Sequence, residues 1–271
     1  MLSLKAKIKD IEMYYEETGK GVPLVLIHGM GGDTTAWSHL IPELSKEVRC
    51  IAVDLRGHGK SDKPDMPYTQ DLFAEDVATL LDKLRVDQAY ICGSSMGGFV
   101  ALKMALNHPQ KVKGLILIDT ATHMPPKSLE VATRLGKIFM EKGLDAYFEA
   151  EVKEIFHPMF VRRHKDAVKA FIDSKKTRDP AIAMRIQQGN MKSPIAMDKA
   201  IKNIKIPTLI IHGKEDTVVP FRESELMHKK IPNSEIAIIP FTGHAAILER
   251  KDFFADMILY FIEESEKKKT K

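Results

Sequence analysis

The chain has 271 residues, 44 % of them hydrophobic, which is enough to fill the core of one α/β domain with an insertion. Its 41 Lys and Arg residues nearly balance 37 Asp and Glu residues, and the net charge of +4 argues against a nucleic-acid-binding protein. No apolar run is long enough to span a bilayer or resembles a signal peptide, so we expect no membrane partner.

The predicted elements alternate between strand and helix along most of the chain. In chain order, the strand-like runs are 2–9, 11–17, 23–27, 50–53, 89–92, 114–118, 208–211 and 236–239. Helical patterns lie between and after them, most clearly at 71–84, 97–107 and 245–264. Several strand-like runs are continuously apolar, as in strands that are buried on both faces. The alternation predicts a doubly wound α/β fold with a mostly parallel, eight-stranded sheet.

One stretch, residues 121–202, breaks this alternation because it contains helical patterns and no strand-like run. It is too long for an unstructured loop. We therefore predict an inserted helical layer at 121–202, packed on a core domain formed by residues 1–120 and 203–271.

The composition also indicates where the protein works. Cys50 and Cys92 both lie in predicted buried strands, which is typical of a protein in the reducing cytoplasm. Lys, Glu and Ile are plentiful while Asn and Gln are scarce, a bias that indicates a thermophilic source.

A Gly-x-Ser-x-Gly motif, Gly93 to Gly97, lies between a predicted strand and a predicted helix. A sharp strand-to-helix turn of this kind strains the backbone of the serine, and glycines two positions away relieve the crowding. The turn directs Ser95 away from the sheet and towards the positive N-terminal end of the helix. This context predicts a nucleophilic Ser95 rather than an incidental serine in a glycine-rich turn.

A serine hydroxyl needs a base, and the base needs a carboxylate that orients it. Reactive groups of parallel sheets gather at the carboxyl ends of the strands, where Asp216 and His244 follow the last two predicted strands. Asp119 also ends a predicted strand and is the alternative to Asp216 as the acid. Glu215 is expected to be a solvated loop charge.

Together these motifs resemble the α/β-hydrolase family over nearly the whole chain. The residues that carry the resemblance are His28 to Gly32, Asp54 to Ser61, the serine motif, Gly213 to Pro220, and Gly243-His244. The family's chain order of Ser, Asp and His is also present. The resemblance implies that Ser95 is the nucleophile, that His244 is the general base and then acid, and that Asp216 fixes the imidazole tautomer.

The resemblance has two further implications. The backbone N–H groups of Met30 and Met96 are implied to form the oxyanion hole, and the inserted layer is implied to be a helical cap, or lid. Under this cap we expect an apolar acyl pocket, with Gly29, Trp37, Met124, Met140 and Met159 as its candidate lining. For Trp37, the alternative is that it anchors the first helix.

The remaining polar residues near glycine turns are expected to be structural. His28, His58 and His212 flank such turns and are predicted to form hydrogen bonds within loops, while Asp54 and Arg56 brace a turn. No histidine or acid spacing typical of metal ligands is present. We therefore expect neither a metal nor a cofactor.

The motif residues narrow the reaction. Haloalkane dehalogenases and epoxide hydrolases of similar pattern have aspartate where this chain has Ser95, and proline-releasing aminopeptidases have tryptophan in place of Met96. Carbon–carbon bond hydrolases of aromatic degradation usually carry Asn and Trp where this chain has Ser94 and Ala245. The sequence thus predicts a carboxylesterase or lactonase for small to medium apolar substrates.

Three alternatives to the esterase remain open. They are a carbon–carbon bond hydrolase, a cofactor-free haloperoxidase or perhydrolase, and a ligand receptor with a hydrolase-like fold. The sequence leaves monomer and homodimer equally open.

Overall fold

A computed structural model describes residues 2–176, 181–193 and 195–269, and at its centre lies one eight-stranded sheet. The strands are β1 (Leu2–Ile8), β2 (Ile11–Thr18), β3 (Val22–Ile27), β4 (Val48–Val53), β5 (Ala89–Ser94), β6 (Val112–Ile118), β7 (Thr208–Gly213) and β8 (Ser234–Ile239). Their order is β1-β2-β4-β3-β5-β6-β7-β8. The pairs β1/β2 and β2/β4 are antiparallel and the other five are parallel. The predicted fold class is confirmed.

Helices cover both faces of the sheet. They are α1 (Ile41–Leu44), α2 (Gln70–Lys83), α3 (Met96–Asn107), α4 (Pro126–Ile155), α5 (Pro158–Arg163), α6 (Lys165–Lys176), α7 (Ala181–Lys192), α8 (Arg222–Lys230), α9 (Ala246–Glu249) and α10 (Lys251–Lys269). Side chains of β3 alternate between the faces: Leu24 and Leu26 pack with α1 and α10, whereas Val25 and Ile27 pack with α2 and α3. Continuous apolar strands follow from this arrangement, since both faces are covered.

The final helix differs from the sequence prediction of one element at 245–264. The structure divides this region into α9 and α10, which are separated by Arg250 with φ −133° and ψ 38°. The carboxylate at the end of α9, Glu249, accepts hydrogen bonds from the backbone N–H groups of Gly243 and His157. These tertiary contacts hold α9 in place, and they outweigh the helical propensity of the continuous segment.

Between β6 and β7, the described residues form the helices α4 to α7 and one isolated bridge between His123 and Ala196. Within α4, Gly143 has φ 80° and interrupts the helix. Residues 177–180 and 194 of the predicted cap lie outside the described residues, and its boundaries stay a prediction. Among the described helices, none has the length and apolar character that crossing a bilayer requires.

A buried arginine joins three parts of the fold near the edge of the sheet. Arg56 is fully buried and donates to both carboxylate oxygens of Asp76 on α2, at 2.7 and 2.9 Å. It also donates to both oxygens of Asp10 in the β1–β2 turn, at 2.9 and 2.8 Å. The hydrogen bonds from Arg56 lower the pKa of Asp10 to about 2. The expectation that Arg56 braces a turn is confirmed.

Replacing Arg56 with leucine should destabilise the fold by about 3–5 kcal/mol, because the fully buried Asp76 would lose its counter-charge. The matched control is Arg49→Leu, which breaks the partly exposed pair with Glu17 and should cost less than about 1 kcal/mol. Urea unfolding of the two variants measures both free energies. Equal losses of unfolding free energy in the two variants would contradict the role of Arg56 as the buried counter-charge of Asp76.

Candidate functional site

Ser95 lies at the sharp turn between β5 and α3. Its backbone has φ 54° and ψ −115°, and its N–H donates to the carbonyl of Ile118 at 2.8 Å. A Cβ on Gly93 would lie 2.1 Å from the carbonyl oxygen of Gly97, and one on Gly97 would lie 2.2 Å from that of Ile27. Larger residues therefore do not fit at either glycine. The predicted strained turn is confirmed.

A chain of hydrogen bonds links Ser95, His244 and Asp216. His244 Nδ1 is 2.6 Å from Asp216 Oδ2, and His244 Nε2 is 3.0 Å from Ser95 Oγ. A carboxylate can only accept, so Nδ1 carries the proton and Nε2 is free to accept from the serine hydroxyl. Such an arrangement can withdraw the hydroxyl proton as Ser95 attacks an electrophile.

Asp216 is buried and accepts four hydrogen bonds. Its Oδ1 accepts from the backbone N–H groups of Val218 and Val219, each at 2.8 Å. Its Oδ2 accepts from His244 and is also 3.1 Å from Nε2 of His212. Burial alone would raise the pKa of Asp216, but the two histidines outweigh it and hold the pKa at about 2. The carboxyl group therefore stays ionised.

The pKa of His244 reflects opposing influences. Burial disfavours the charged imidazole, but the negative charge of Asp216 and its hydrogen bond raise the pKa of His244 above its usual 6.5. Lys175 on α6 acts in the opposite direction because its positive charge repels the imidazolium. The neutral form, which can accept a proton, is thus populated on the alkaline side of this pKa.

Asp119, the alternative acid, is placed differently. It is fully buried, has φ 49°, and accepts from the backbone N–H groups of Gly213 at 2.9 Å and Ala246 at 3.3 Å. Burial raises its pKa to about 7. Asp119 thus ties together the loops after β7 and β8, while the carboxylate that contacts His244 is Asp216.

Glu215 was expected to be a solvated loop charge, and this expectation is wrong. Its Oε2 accepts from the backbone N–H of Thr242 at 2.9 Å. The backbone N–H of Glu215 in turn donates to the carbonyl of Thr242 at 3.0 Å. Since β7 and β8 are neighbours, their following loops run side by side, and Glu215 joins the loop of Asp216 to that of His244.

The loop that carries Met30 is held beside Ser95. Gly32 N–H donates to the carbonyl of Gly29 at 3.0 Å, and His28 Nδ1 donates to that carbonyl at 2.7 Å while its Nε2 accepts from Leu55 N–H. A Cβ on Gly29 would lie 3.3 Å from the Cβ of Ser95, so the two backbones approach closely.

Met96 is the first residue of α3, where a backbone N–H has no acceptor within the helix. Met96 directly follows Ser95 in the chain. Met30 directly follows Gly29, whose backbone lies close to Ser95, so both residues belong to segments beside the serine.

Comparison with known proteins identifies the family. A protein-family profile described as "Serine aminopeptidase, S33" matches residues 21–251. The chain belongs to this family of α/β hydrolases. The 2-hydroxymuconate semialdehyde hydrolase of Pseudomonas sp. (strain CF600) is 30 % identical over 258 residues, which cover 92 % of this chain and 90 % of that protein.

Solved structures of similar hydrolases cover nearly the entire chain. A thermophilic esterase from Thermogutta terrifontis is 27 % identical with a TM-score of 0.87, covering 98 % of this chain and 99 % of that one. Est816, described as an N-acyl homoserine lactone degrading enzyme, is 26 % identical with a TM-score of 0.82, covering 95 % and 100 %.

The candidate pocket residues of this α/β hydrolase are scattered. Trp37 is fully buried among residues of α1 and α10, so it does not line an open pocket and instead anchors the first helix. Met140 is 81 % exposed near the break of α4, and its side chain faces solvent. Gly29 lies against Ser95. Met124 and Met159 are more covered than Met140, and their pocket role stays a prediction.

The hydrolase also fastens its helical segment to the loop of His244, a feature that the sequence analysis missed. Ala245 N–H donates to the carbonyl of Ile155 at 3.1 Å, and Glu249 accepts from Gly243 at 2.9 Å and from His157 at 3.2 Å. Burial raises the pKa of Glu249 to about 7. Each of these hydrogen bonds has a backbone N–H as its donor. Because nearly every residue has such a group, the bonds leave no pattern in the sequence.

Proposed function

We propose that the protein is a serine hydrolase that cleaves carboxylic esters or lactones of small to medium apolar substrates through an acyl-serine intermediate. The observation that carries this proposal is the continuous hydrogen-bonded chain from Ser95 through His244 to Asp216. The similarity to an esterase and to a lactone-degrading enzyme supports the choice of bond.

In the proposed mechanism, Ser95 Oγ attacks the carbonyl carbon while His244 Nε2 takes the hydroxyl proton. The tetrahedral intermediate then expels the alcohol, which receives that proton from His244. Water next attacks the acyl-serine with His244 again as the base, releasing the acid and restoring Ser95. Asp216 remains ionised throughout and stabilises the imidazolium.

The negative charge on the carbonyl oxygen is proposed to be stabilised by the backbone N–H groups of Met30 and Met96. One such donor is typically worth about 10²–10³ in rate. The hydrogen bond from His28 to the carbonyl of Gly29 supports this role, because it fixes the turn that keeps the segment of Met30 beside Ser95 before substrate binds.

Carbon–carbon bond hydrolysis is the second candidate, favoured by the similarity to the 2-hydroxymuconate semialdehyde hydrolase. A muconate semialdehyde contains no ester bond, so its hydrolysis breaks a carbon–carbon bond. Ser94 and Ala245 stand where such hydrolases usually carry Asn and Trp, and this difference is our reason for preferring ester hydrolysis.

A substrate panel separates the two candidates. The purified protein is assayed with p-nitrophenyl esters of increasing acyl length, with acyl lactones, and with a hydroxy-oxo-dienoate. The proposal expects multiple turnovers on esters or lactones and little on the dienoate. Turnover on the dienoate alone would favour the second candidate, and tight binding without turnover would favour a receptor.

The acid limb of the pH profile gives a direct prediction. Because the pKa of His244 is raised above 6.5 and the base must be neutral, kcat/KM should fall about tenfold per pH unit below that pKa. Ester hydrolysis from pH 5 to 9 measures the limb, with circular dichroism as the control for folding. A flat profile of the folded protein would contradict the role of His244.

A further inference from the structure

A second histidine, His212, lies behind Asp216 at the end of β7 and is fully buried. Its Nε2 is 3.1 Å from Asp216 Oδ2 and 2.9 Å from the carbonyl oxygen of Val219. Its Nδ1 is 2.6 Å from the hydroxyl of Ser224 on α8. The hydrogen-bonded chain therefore continues beyond the acid.

The neighbours of His212 determine which of its nitrogens carries a proton. Both groups beside Nε2, a carboxylate and a carbonyl, can only accept, so Nε2 carries hydrogen and donates. The hydroxyl of Ser224 can donate to Nδ1 when the ring is neutral and accept when it is charged. His212 is consequently a donor to Asp216 in either charge state.

The two histidines share one oxygen. Asp216 Oδ2 accepts from His244 Nδ1 and from His212 Nε2. A second donor stabilises the carboxylate ion and lowers the negative charge that His244 experiences. Removing that donor makes Asp216 more basic, so the imidazolium of His244 becomes more favourable.

Other charged groups face this pair from the elements around it. Asp119 directly follows β6, and one of its carboxylate oxygens lies within 4.8 Å of a ring nitrogen of His212 and of a carboxylate oxygen of Asp216. Lys175 on α6 opposes the protonation of His244. Both residues are retained when His212 is replaced, but His212 lowers the pKa of Asp119, whose charge in turn raises the pKa of His244. The titration of Asp119 is therefore followed beside that of His244, so that the effect of the lost donor is separated from a change in the charge of Asp119.

We propose that His212 is a positioning residue that holds Asp216 and sets the pH at which His244 gains its proton. Its role is exerted through Asp216, and it does not touch the reacting atoms. The activity readout of this inference rests on the proposed function, but the titration of His244 does not.

The test compares His212→Leu, which removes the donor, with His212→Gln, which keeps an N–H donor on a side chain of similar reach. The matched control is His228→Leu, which removes another histidine–serine pair: His228 on α8 forms an exposed hydrogen bond to Ser234 on β8 at 2.9 Å. The pKa of His244 is measured by NMR titration of the imidazole nitrogens. The acid limb of fluorophosphonate labelling at Ser95 is measured alongside.

We expect His212→Leu to raise the pKa of His244 by about 0.5–1 pH unit and to move the labelling limb by the same amount. In His212→Gln the shift should be less than half as large, and in His228→Leu absent. If His212→Leu does not fold, Ser224→Ala replaces it and should move the pKa in the same direction by a smaller amount.

An unchanged pKa of His244 in folded His212→Leu, or in Ser224→Ala where that variant replaces it, would overturn the inference. Equal shifts in His212→Leu and His212→Gln would also overturn it, because a lost donor would not be the cause. Wild-type protein without labelling would count against the proposed function alone, since the NMR titration would still decide the role of His212.

Discussion

Ser95→Ala should lower kcat for ester hydrolysis by about 10⁴–10⁶-fold, the largest effect of any single change in the site. Alanine keeps the strained turn but has no hydroxyl to attack the carbonyl, and no acyl-enzyme can form. The measurement is p-nitrophenyl ester hydrolysis at saturating substrate, with thermal unfolding to show that the variant is folded.

The matched control for this change is Ser94→Ala. Ser94 is the last residue of β5, one position before the turn, and its substitution should lower kcat by less than about tenfold. Comparable losses in the two folded variants would contradict a specific role for the hydroxyl of Ser95. Wild-type rates in Ser95→Ala would end the acyl-serine mechanism.

Asp216→Asn should lower kcat by about 10⁴-fold while leaving the fold intact. An amide has one oxygen and one NH₂ group, so it cannot keep accepting from His212, His244 and two backbone N–H groups together. If the NH₂ group faces His244, the imidazole must present an acceptor there and the wrong tautomer results.

Asp119→Asn is the comparison that decides between the two acids. Asp119 accepts from two backbone N–H groups, and the carboxylate that is hydrogen-bonded to His244 is that of Asp216, so we expect less than about a tenfold loss of kcat. Steady-state kinetics of both variants at pH 8 measures the difference. A larger loss in Asp119→Asn than in Asp216→Asn would assign the acid to the end of β6.

Much of the fold was accessible from the sequence because it depends on local pattern. Apolar runs such as Pro23 to Ile27 predict strands buried on both faces, and the structure packs alternate residues of β3 on opposite layers. Glycines at 93 and 97 predict the turn at Ser95 because no larger residue fits there. The serine, acid and histidine follow from strand ends, which a parallel sheet gathers at one edge.

Other features depend on contacts between distant loops, and no local pattern records them. Glu215 accepts a hydrogen bond from the backbone of Thr242, and Glu249 accepts one from that of His157. In the sequence alone, an acid at either position cannot be told from a charge on the surface. Trp37 follows the loop of Met30 in sequence, but its side chain is buried in the layer formed by α1 and α10. The distinction between pocket and core therefore required the three-dimensional packing.

The most direct test of the central claim is labelling with a fluorophosphonate probe, followed by intact mass measurement and peptide mapping. The account predicts one adduct per chain, located on Ser95, and its absence in His244→Ala under the same conditions. Failure of the folded wild-type protein to react, or an adduct on a different residue, would contradict the claim that Ser95 is the nucleophile.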